Sequence, residues 1–238
     1  MIGTLINTLT VLVGGSLGAW LGRRFPQRIH ESIFAALGLF TLAIGLSNSL
    51  ATGNPLIVLG SLVIGVLIGE WLQIDARLEQ FGGWLQRRLV PVGSQTQAGR
   101  FVEAFVTASL VFCVGPLTIQ GAMEDGLMGD YTKLAIKATL DGFAALAFAS
   151  TLGPGVLASV IVILVFQGGI SLLARLGAGL FTPPMIAELT ATGGVVLMAI
   201  GLRLLELKRL RAGNMLPALF VAPALVAWLD ALKITYYP

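Results

Sequence analysis

Eight runs of about twenty apolar residues, separated by short stretches that carry most of the charge, dominate this chain. They occupy 3–22, 32–50, 55–73, 101–120, 134–152, 155–174, 186–205 and 214–232. A bilayer's hydrocarbon core is about 30 Å thick, and a helix crosses it with roughly 20 residues because every backbone donor and acceptor must be satisfied within the segment. The pattern therefore predicts an all-α fold, a polytopic transmembrane helical bundle of about eight spans in one membrane domain. Charged residues are 11% of the chain, against about 25% in soluble domains. An aqueous fold has no use for the apolar surface that remains.

The same distribution excludes several functions. The net charge is +3, but Lys and Arg sit in the loops rather than on a basic domain, so no nucleic-acid partner is expected. His30 stands alone in a basic loop and Cys113 alone in an apolar run, so there is no zinc-type cluster and no intramolecular disulfide. The chain has neither a Gly-x-x-x-x-Gly-Lys-Ser/Thr loop nor a Gly-x-Ser-x-Gly elbow. No cofactor and no enzyme chemistry are expected. The first run has no Lys or Arg before it and outlasts a signal peptide's apolar region, so it reads as a retained span.

The segment 74–97 is too polar to cross. Leu78, Phe81, Leu85 and Leu89 recur at helical spacing beside Trp84, with Arg77, Arg87 and Arg88 available to headgroups, which predicts an interfacial amphipathic helix. Residues 91–97 read as a flexible return. Counting Lys and Arg in alternate loops puts Arg23, Arg24, Arg28, Arg77, Arg87, Arg88, Arg100, Lys208, Arg209 and Arg211 on one side, and Lys133, Arg175 and Lys233 on the other. The positive-inside rule makes the first set cytoplasmic and both termini extracytoplasmic.

The stretch 37–46 resembles 193–202, and looser matches set Gly3-Thr4-Leu5 against Gly155-Val156-Leu157 and Pro55 against Pro217. Spans one to three (1–73) would then recur as spans six to eight (153–238), flanking central polar helices at 98–152. Five intervening steps make the copies opposite in topology, the inverted repeat common among secondary transporters. Shared Leu, Gly and Ala content alone produces similar matches.

Polar chemistry concentrates between Phe112 and Asp141. Gly115-Pro116 breaks the fourth run, and Pro116 frees the carbonyl of Phe112. Thr118, Gln120, Glu124, Asp125 and Asp130 follow, and Lys137 and Asp141 stand four apart on one helical face. Charge inside hydrocarbon is sheltered by protein around a cavity or ligand, so this pair is the leading candidate for a site. Asp125 and Asp130 also fit an exposed turn, since Asp-Gly and Gly-Asp are ordinary turn pairs. Asn7 and Gln167 lie deep in their runs, where they line a polar path or bond one helix to another. Glu70, Glu103, Arg203 and Glu206 lie near span ends, where snorkelling accounts for them. Gly14, Gly18 and Gly22 repeat every four residues, a face for close helix approach within or between copies in a homo-oligomer.

Several of these stretches resemble one bacterial inner-membrane family, that of the YqgA and YdfK type, domain of unknown function 554. The likeness rests on Met1-Ile2-Gly3-Thr4 with Asn7 and Gly14-Gly15, on Ile68-Gly69-Glu70 and on Phe112-Cys113-Val114-Gly115. It continues through Glu124-Asp125-Gly126-Leu127, Gly129-Asp130, Lys137 to Asp141-Gly142, 148–153 and Phe166-Gln167-Gly168-Gly169. Gly115-Pro116-Leu117 departs from the family's run of small and apolar residues. The resemblance implies the fold and a multi-pass inner-membrane location, and brings no established substrate, cofactor or reaction. From the residues, the best reading is a secondary transporter of a small solute or cation. Its site would lie in spans four and five, with Thr118, Gln120, Glu124, Asp125, Lys137, Asp141 and Gln167 as candidate ligands. An ion channel and a non-transporting scaffold are the alternatives.

Overall fold

The computed structural model describes residues 1–22, 26–89, 95–113, 116–176, 182–208 and 210–234. The chain runs through α1 (Ile2–Gly22), α2 (Gln27–Ser49), α3 (Pro55–Leu72), α4 (Ile74–Leu89), α5 (Gln95–Cys113), α6 (Pro116–Leu127), α7 (Thr132–Leu152), α8 (Gly155–Leu176), α9 (Pro183–Leu204) and α10 (Ala218–Ala231). A 3-10 turn, Ala212–Met215, leads into α10. Among the described residues there is no strand. Seven of these segments are long and apolar enough to cross a bilayer, and α5 with α6, bent by 74° at a short break, forms either a broken eighth span or a re-entrant loop.

The bend is where the run 101–120 departs from a straight span. Val114 and Gly115 lie outside the described residues; Pro116 opens α6, a position whose amide has no intrahelical partner in any case. The carbonyl that such a break frees does find a donor: the Thr118 hydroxyl reaches Phe112 O at 3.2 Å. The expected return loop is shorter than its sequence suggests, because α5 already begins at Gln95; residues 91–94 lie outside the described residues.

Helix faces are sorted opposite to those of a water-soluble protein. On α1, Leu5, Leu9, Val13, Leu17 and Trp20 are exposed, whereas Gly3, Thr4, Asn7, Gly14, Gly15, Gly18 and Gly22 are buried. On α3, Leu56, Leu59, Val63, Leu67 and Trp71 face outward and Ser61, Gly65 and Gly69 inward. Lipid tails solvate large apolar side chains as well as a core does, so helices associate through small residues and polar groups instead.

The chain forms two compact units. The first comprises the described residues within 1–37, 77–113 and 117–178. Here α1 lies along α7 in parallel, with Gly14, Gly18 and Gly22 against the backbones of Gly142, Leu146 and Ser150. The glycine face expected for close approach is thus occupied within the chain. Helix α8 runs antiparallel to α1, with Leu157 over Gly15 and Gln167 beside Thr4. Phe112 of α5 meets Phe148 of α7 edge-on at 6.2 Å. The amphipathic helix α4 turns part of its apolar face onto α5, where Leu85 is buried and Phe81 meets Phe105 at 5.8 Å. Trp84 stays exposed, stacked on Phe81 with the Arg88 guanidinium 5.7 Å from its ring.

The second unit comprises the described residues within 38–76, 114–116 and 179–238. Antiparallel contacts join α2 to α9 through Gly38 with Gly201 and Gly45 with Gly194, and α3 to α10 through Gly65 with Ala218. Asn54 caps α3 by accepting from the Leu56 amide at 3.0 Å, with Pro55 at the first helical position. At the opposite end of α3, the buried Asp75 accepts from the Gly213 amide at 2.9 Å, and its own amide donates to Asn214 Oδ1 at 2.8 Å. Glu70 pairs with Arg211 at 2.7 Å; both side chains are well exposed, so the pair contributes little.

A Cβ on Gly14 would overlap the Gly142 carbonyl, whereas one on Gly169 would meet nothing within 4 Å. Gly14→Ala is therefore expected to destabilise by about 1–3 kcal/mol, and Gly169→Ala to be neutral or slightly stabilising. Thermal unfolding of the detergent-solubilised protein compares the two.

Candidate functional site

The polar residues of the first unit's interior meet where α1, α7 and α8 touch. Lys137 and Asp141 lie one turn apart on α7, both nearly buried, and the Lys137 Nζ donates to Asp141 Oδ2. Asn7 of α1, fully buried, donates through Nδ2 to the same Asp141 oxygen at 3.0 Å and to Gln167 Oε1 of α8 at 2.9 Å. Gln167 Nε2 donates in turn to Thr4 Oγ1 at 3.2 Å. One charge pair and three neutral polar side chains from three helices thus form a connected network. The glycine-lined contact of α1 with α7 is what lets so short a side chain as Asn7 reach Asp141.

A charged trail leads from this network toward the start of α7. Lys133, Lys137 and Asp141 recur every four residues and share one face. Lys133 Nζ meets Glu124 Oε1 of α6 at 2.6 Å, and both side chains remain partly exposed. Asp125, next along α6, is buried and accepts from the Gly3 amide at 3.1 Å and the Met1 amine at 2.8 Å. There it complements the positive end of α1 rather than forming an exposed turn. Asp130 is in an exposed turn, and its Oδ1 accepts from the Thr132 amide at 2.9 Å. Hydrogen bonds from the Thr132 hydroxyl and amide, with Lys133 nearby, hold its carboxyl below the usual aspartate range. The stabilisation this gives is complete above the ordinary aspartate pKa and is lost as pH falls through the lowered one.

Of the residues picked out from sequence, Lys137, Asp141 and Gln167 are brought together, with Asn7 as the link. Glu124 and Asp125 lie on α6 with other partners. Thr118 is buried and engaged with the Phe112 carbonyl at the bend. Gly115 and the Gln120 side chain lie outside the described residues. Among the described residues, no three His, Cys, Asp or Glu side chains gather as metal ligands.

Glu188 escaped the sequence reading. In the second unit it is fully buried on α9, where its carboxylate accepts from the Thr52 hydroxyl at 2.7 Å and from the amides of Gly53 and Asn54 at 2.9 and 3.1 Å. Three donors gathered just before α3 hold this carboxylate. Only a glutamate early in an apolar run hinted at it, and nothing local in sequence points to partners more than a hundred residues away.

Buried charge, inward-facing small residues and lipid-facing apolar surface define a polytopic helical membrane protein. The family described as "Protein of unknown function (DUF554)" matches residues 2–227, and the chain belongs to that family. It is 36% identical to "Uncharacterized protein YqgA" of Escherichia coli (strain K12), with 96% of this chain and 97% of that one covered. It is 29% identical to "Uncharacterized membrane protein YdfK" of Bacillus subtilis (strain 168), over 99% of this chain and 100% of that one. No solved structure matches the chain.

Removing the Glu188 carboxylate leaves the two amides and the Thr52 hydroxyl without this acceptor. Glu188→Ala is expected to destabilise, each buried donor left without an acceptor costing about 1–3 kcal/mol, and Glu188→Gln to destabilise less, since one acceptor oxygen stays in place. Melting temperatures in detergent rank wild type above Glu188→Gln above Glu188→Ala.

Proposed function

We propose that this protein is a secondary transporter of a small solute or cation, and that Lys137, Asp141, Asn7, Gln167 and Thr4 form its site. The observation that carries this reading is the Lys137–Asp141 pair, nearly buried in a span, with Asp141 accepting from Asn7 of α1, which in turn donates to Gln167 of α8. Stability does not ask for such a pair, because apolar residues of the same volume are often as good or better. Transport does: a coupled site needs ionisable groups sheltered from lipid yet able to exchange partners.

Two further features support the reading. The first is the antiparallel pairing that an inverted repeat would produce. Each helix of 1–73 packs antiparallel on its expected counterpart: α1 on α8, α2 on α9 and α3 on α10. In the sequence match Gly38 corresponds to Gly194 and Gly45 to Gly201; in space Gly38 meets Gly201 and Gly45 meets Gly194. That exchange is what a two-fold axis between α2 and α9 produces. The second is topology. Because α1 and α7 are parallel, they begin at the same membrane face, so the three crossings of α1, α2 and α3 require a fourth by α5 and α6. The termini then share a face, and the excess of Lys and Arg in the opposite loops makes it extracytoplasmic in a bacterial inner membrane. The site lies in the second turn of α1 and the second and third turns of α7, nearer that face.

Flux into liposomes carrying the purified protein tests the proposal. Saturable, coupled uptake is expected from wild type, and Asp141→Asn is expected to lose it while keeping its elution profile in detergent. Conductance without saturation would favour a channel, and Asp141→Asn transporting like wild type would move the site elsewhere. Cysteine placed at position 129 is expected to react with an impermeant maleimide from outside the cell, and cysteine at 208 only after permeabilisation.

A further inference from the structure

Helix α4 carries charge and aromatic surface that transport at α1, α7 and α8 leaves unused. Residues 77, 81, 84 and 88 recur at intervals of four, three and four, which sets Arg77, Phe81, Trp84 and Arg88 in one stripe along the helix. All four are exposed, whereas Gly82 and Leu85 on the adjoining side are buried. A Cβ on Gly82 would come within 2.9 Å of the Phe105 ring of α5. The stripe therefore borders the contact with α5 and is not covered by it. Within it Phe81 and Trp84 stack at 5.8 Å with their planes 15° apart, and the Arg88 guanidinium lies 5.7 Å from the indole ring. A cation held over a ring face spends none of its N–H donors on ring atoms, so those donors remain for another partner.

The charge of the stripe is uncompensated. Among the described residues, Arg77, Arg87 and Arg88 take part in no ion pair. Of the helix's two carboxylates, Asp75 is buried and accepts from the Gly213 amide. Glu79 is two residues from both Arg77 and Phe81, so it points away from the stripe. What remains is basic at both ends and aromatic between them. Arg77 and Arg88 are separated by eleven residues, about 16 Å along the axis.

Helix α5 fixes the depth of this surface. Arg100 donates to the Thr151 carbonyl in the last turn of α7 at 2.9 Å, and the Phe101 carbonyl abuts Gly155, the first residue of α8. Both α7 and α8 are membrane-crossing segments, so the turn between them marks one membrane face at the level of residues 100–101 of α5. Phe105, against which Phe81 and Gly82 pack, lies further in. Four to five residues of helix make that about 6–7.5 Å. An interfacial helix seats its apolar face about 5–10 Å into the boundary of headgroups and acyl chains. Phe81 and Trp84 are thus at the level where aromatic rings gather in membrane proteins, too deep for a water-soluble partner and next to the lipid phosphates.

We propose that α4 binds anionic phospholipid of the adjoining leaflet, with Phe81 and Trp84 at the headgroup–acyl boundary and Arg77 and Arg88, with Arg87 beside it, on the headgroup phosphates. The planar fork of arginine matches a phosphate with paired N–H bonds. A zwitterionic lipid presents the same phosphate with its own cation attached, so uncompensated arginines select lipids of net negative charge. The spacing of the two ends lets each take a separate phosphate.

The test uses the full chain in bilayers of phosphatidylcholine and phosphatidylglycerol, with Trp20, Trp71 and Trp228 changed to Phe so that Trp84 is the one tryptophan left. Acyl chains brominated near the headgroup, placed on one lipid or the other at equal mole fraction, report which lipid touches Trp84. Brominated phosphatidylglycerol is expected to quench as if enriched about fivefold or more around Trp84 at low salt, with the preference shrinking as salt is raised. Arg77→Gln combined with Arg88→Gln should bring the two lipids to within about a factor of two, whereas Arg77→Lys with Arg88→Lys should keep most of the preference because the charge stays. Equal quenching by both lipids before any arginine is changed, or an unaltered preference in the glutamine pair, would overturn the inference. So would a Trp84 quenched by neither lipid but by iodide in the water, which would leave this face to a soluble partner. Should the glutamine pair fail to fold, a preference that does not respond to salt in the protein with all three arginines would overturn it as well. None of these readouts depends on flux, so the inference stands or falls apart from the transporter proposal.

Discussion

Three contacts between α1 and α7, each setting a glycine of α1 against backbone of α7, govern the first unit. Gly14, Gly18 and Gly22 carry no side chain to hold the helices apart, and the carbonyls of Gly142, Leu146 and Ser150 come up against them. Hydrocarbon gives no hydrophobic reason for two apolar helices to associate, so the drive comes from close packing and shared polar groups. Here the two are linked. The glycine contact sets the spacing, the spacing lets Asn7 reach Asp141, and Asn7 carries the network on to Gln167 and Thr4. Adding a methyl group to Gly14 would strain the contact and draw the network apart with it.

Each unit also buries a carboxylate in an apolar helix, and the two are held differently. Glu188 accepts from an aligned hydroxyl and two amides, all from the turn before α3, a fixed arrangement that ties one helix start to another helix. Asp141 is held by a lysine one turn away on its own helix and by an amide side chain. Backbone donors cannot leave without unfolding the turn, whereas a side-chain donor can rotate away. The first arrangement suits a structural joint. The second is the arrangement on which the transporter proposal rests.

Much of the fold was legible in the sequence because membrane crossing depends on length and hydropathy, both local properties. The eight apolar runs map onto seven continuous segments and one bent pair, and the amphipathic spacing from Leu78 to Leu89 becomes α4. The Lys137–Asp141 pairing was legible for the same reason, since four residues on a helix is a single turn. Partnerships across the fold were not. Asp125 read equally well as an exposed turn, and only the approach of α1 makes it a buried partner of the Gly3 amide. Glu124 stood beside the candidate site in sequence, yet it is claimed by Lys133.

The sequence by itself determined that this chain lives in a bilayer, where most of its helices begin and end to within a turn or so, and that α7 carries charge where lipid should be. Those conclusions follow from the cost of bare backbone and bare charge in hydrocarbon, which each segment meets on its own. Tertiary structure alone decided which helices touch, that the glycine stripe of α1 is used on α7, that Asn7 and Gln167 complete the network, and that Glu188 anchors the turn before α3. These depend on which faces meet, and a hydrogen bond between residues 7 and 141 or 54 and 188 leaves no periodic trace in the residues around either end.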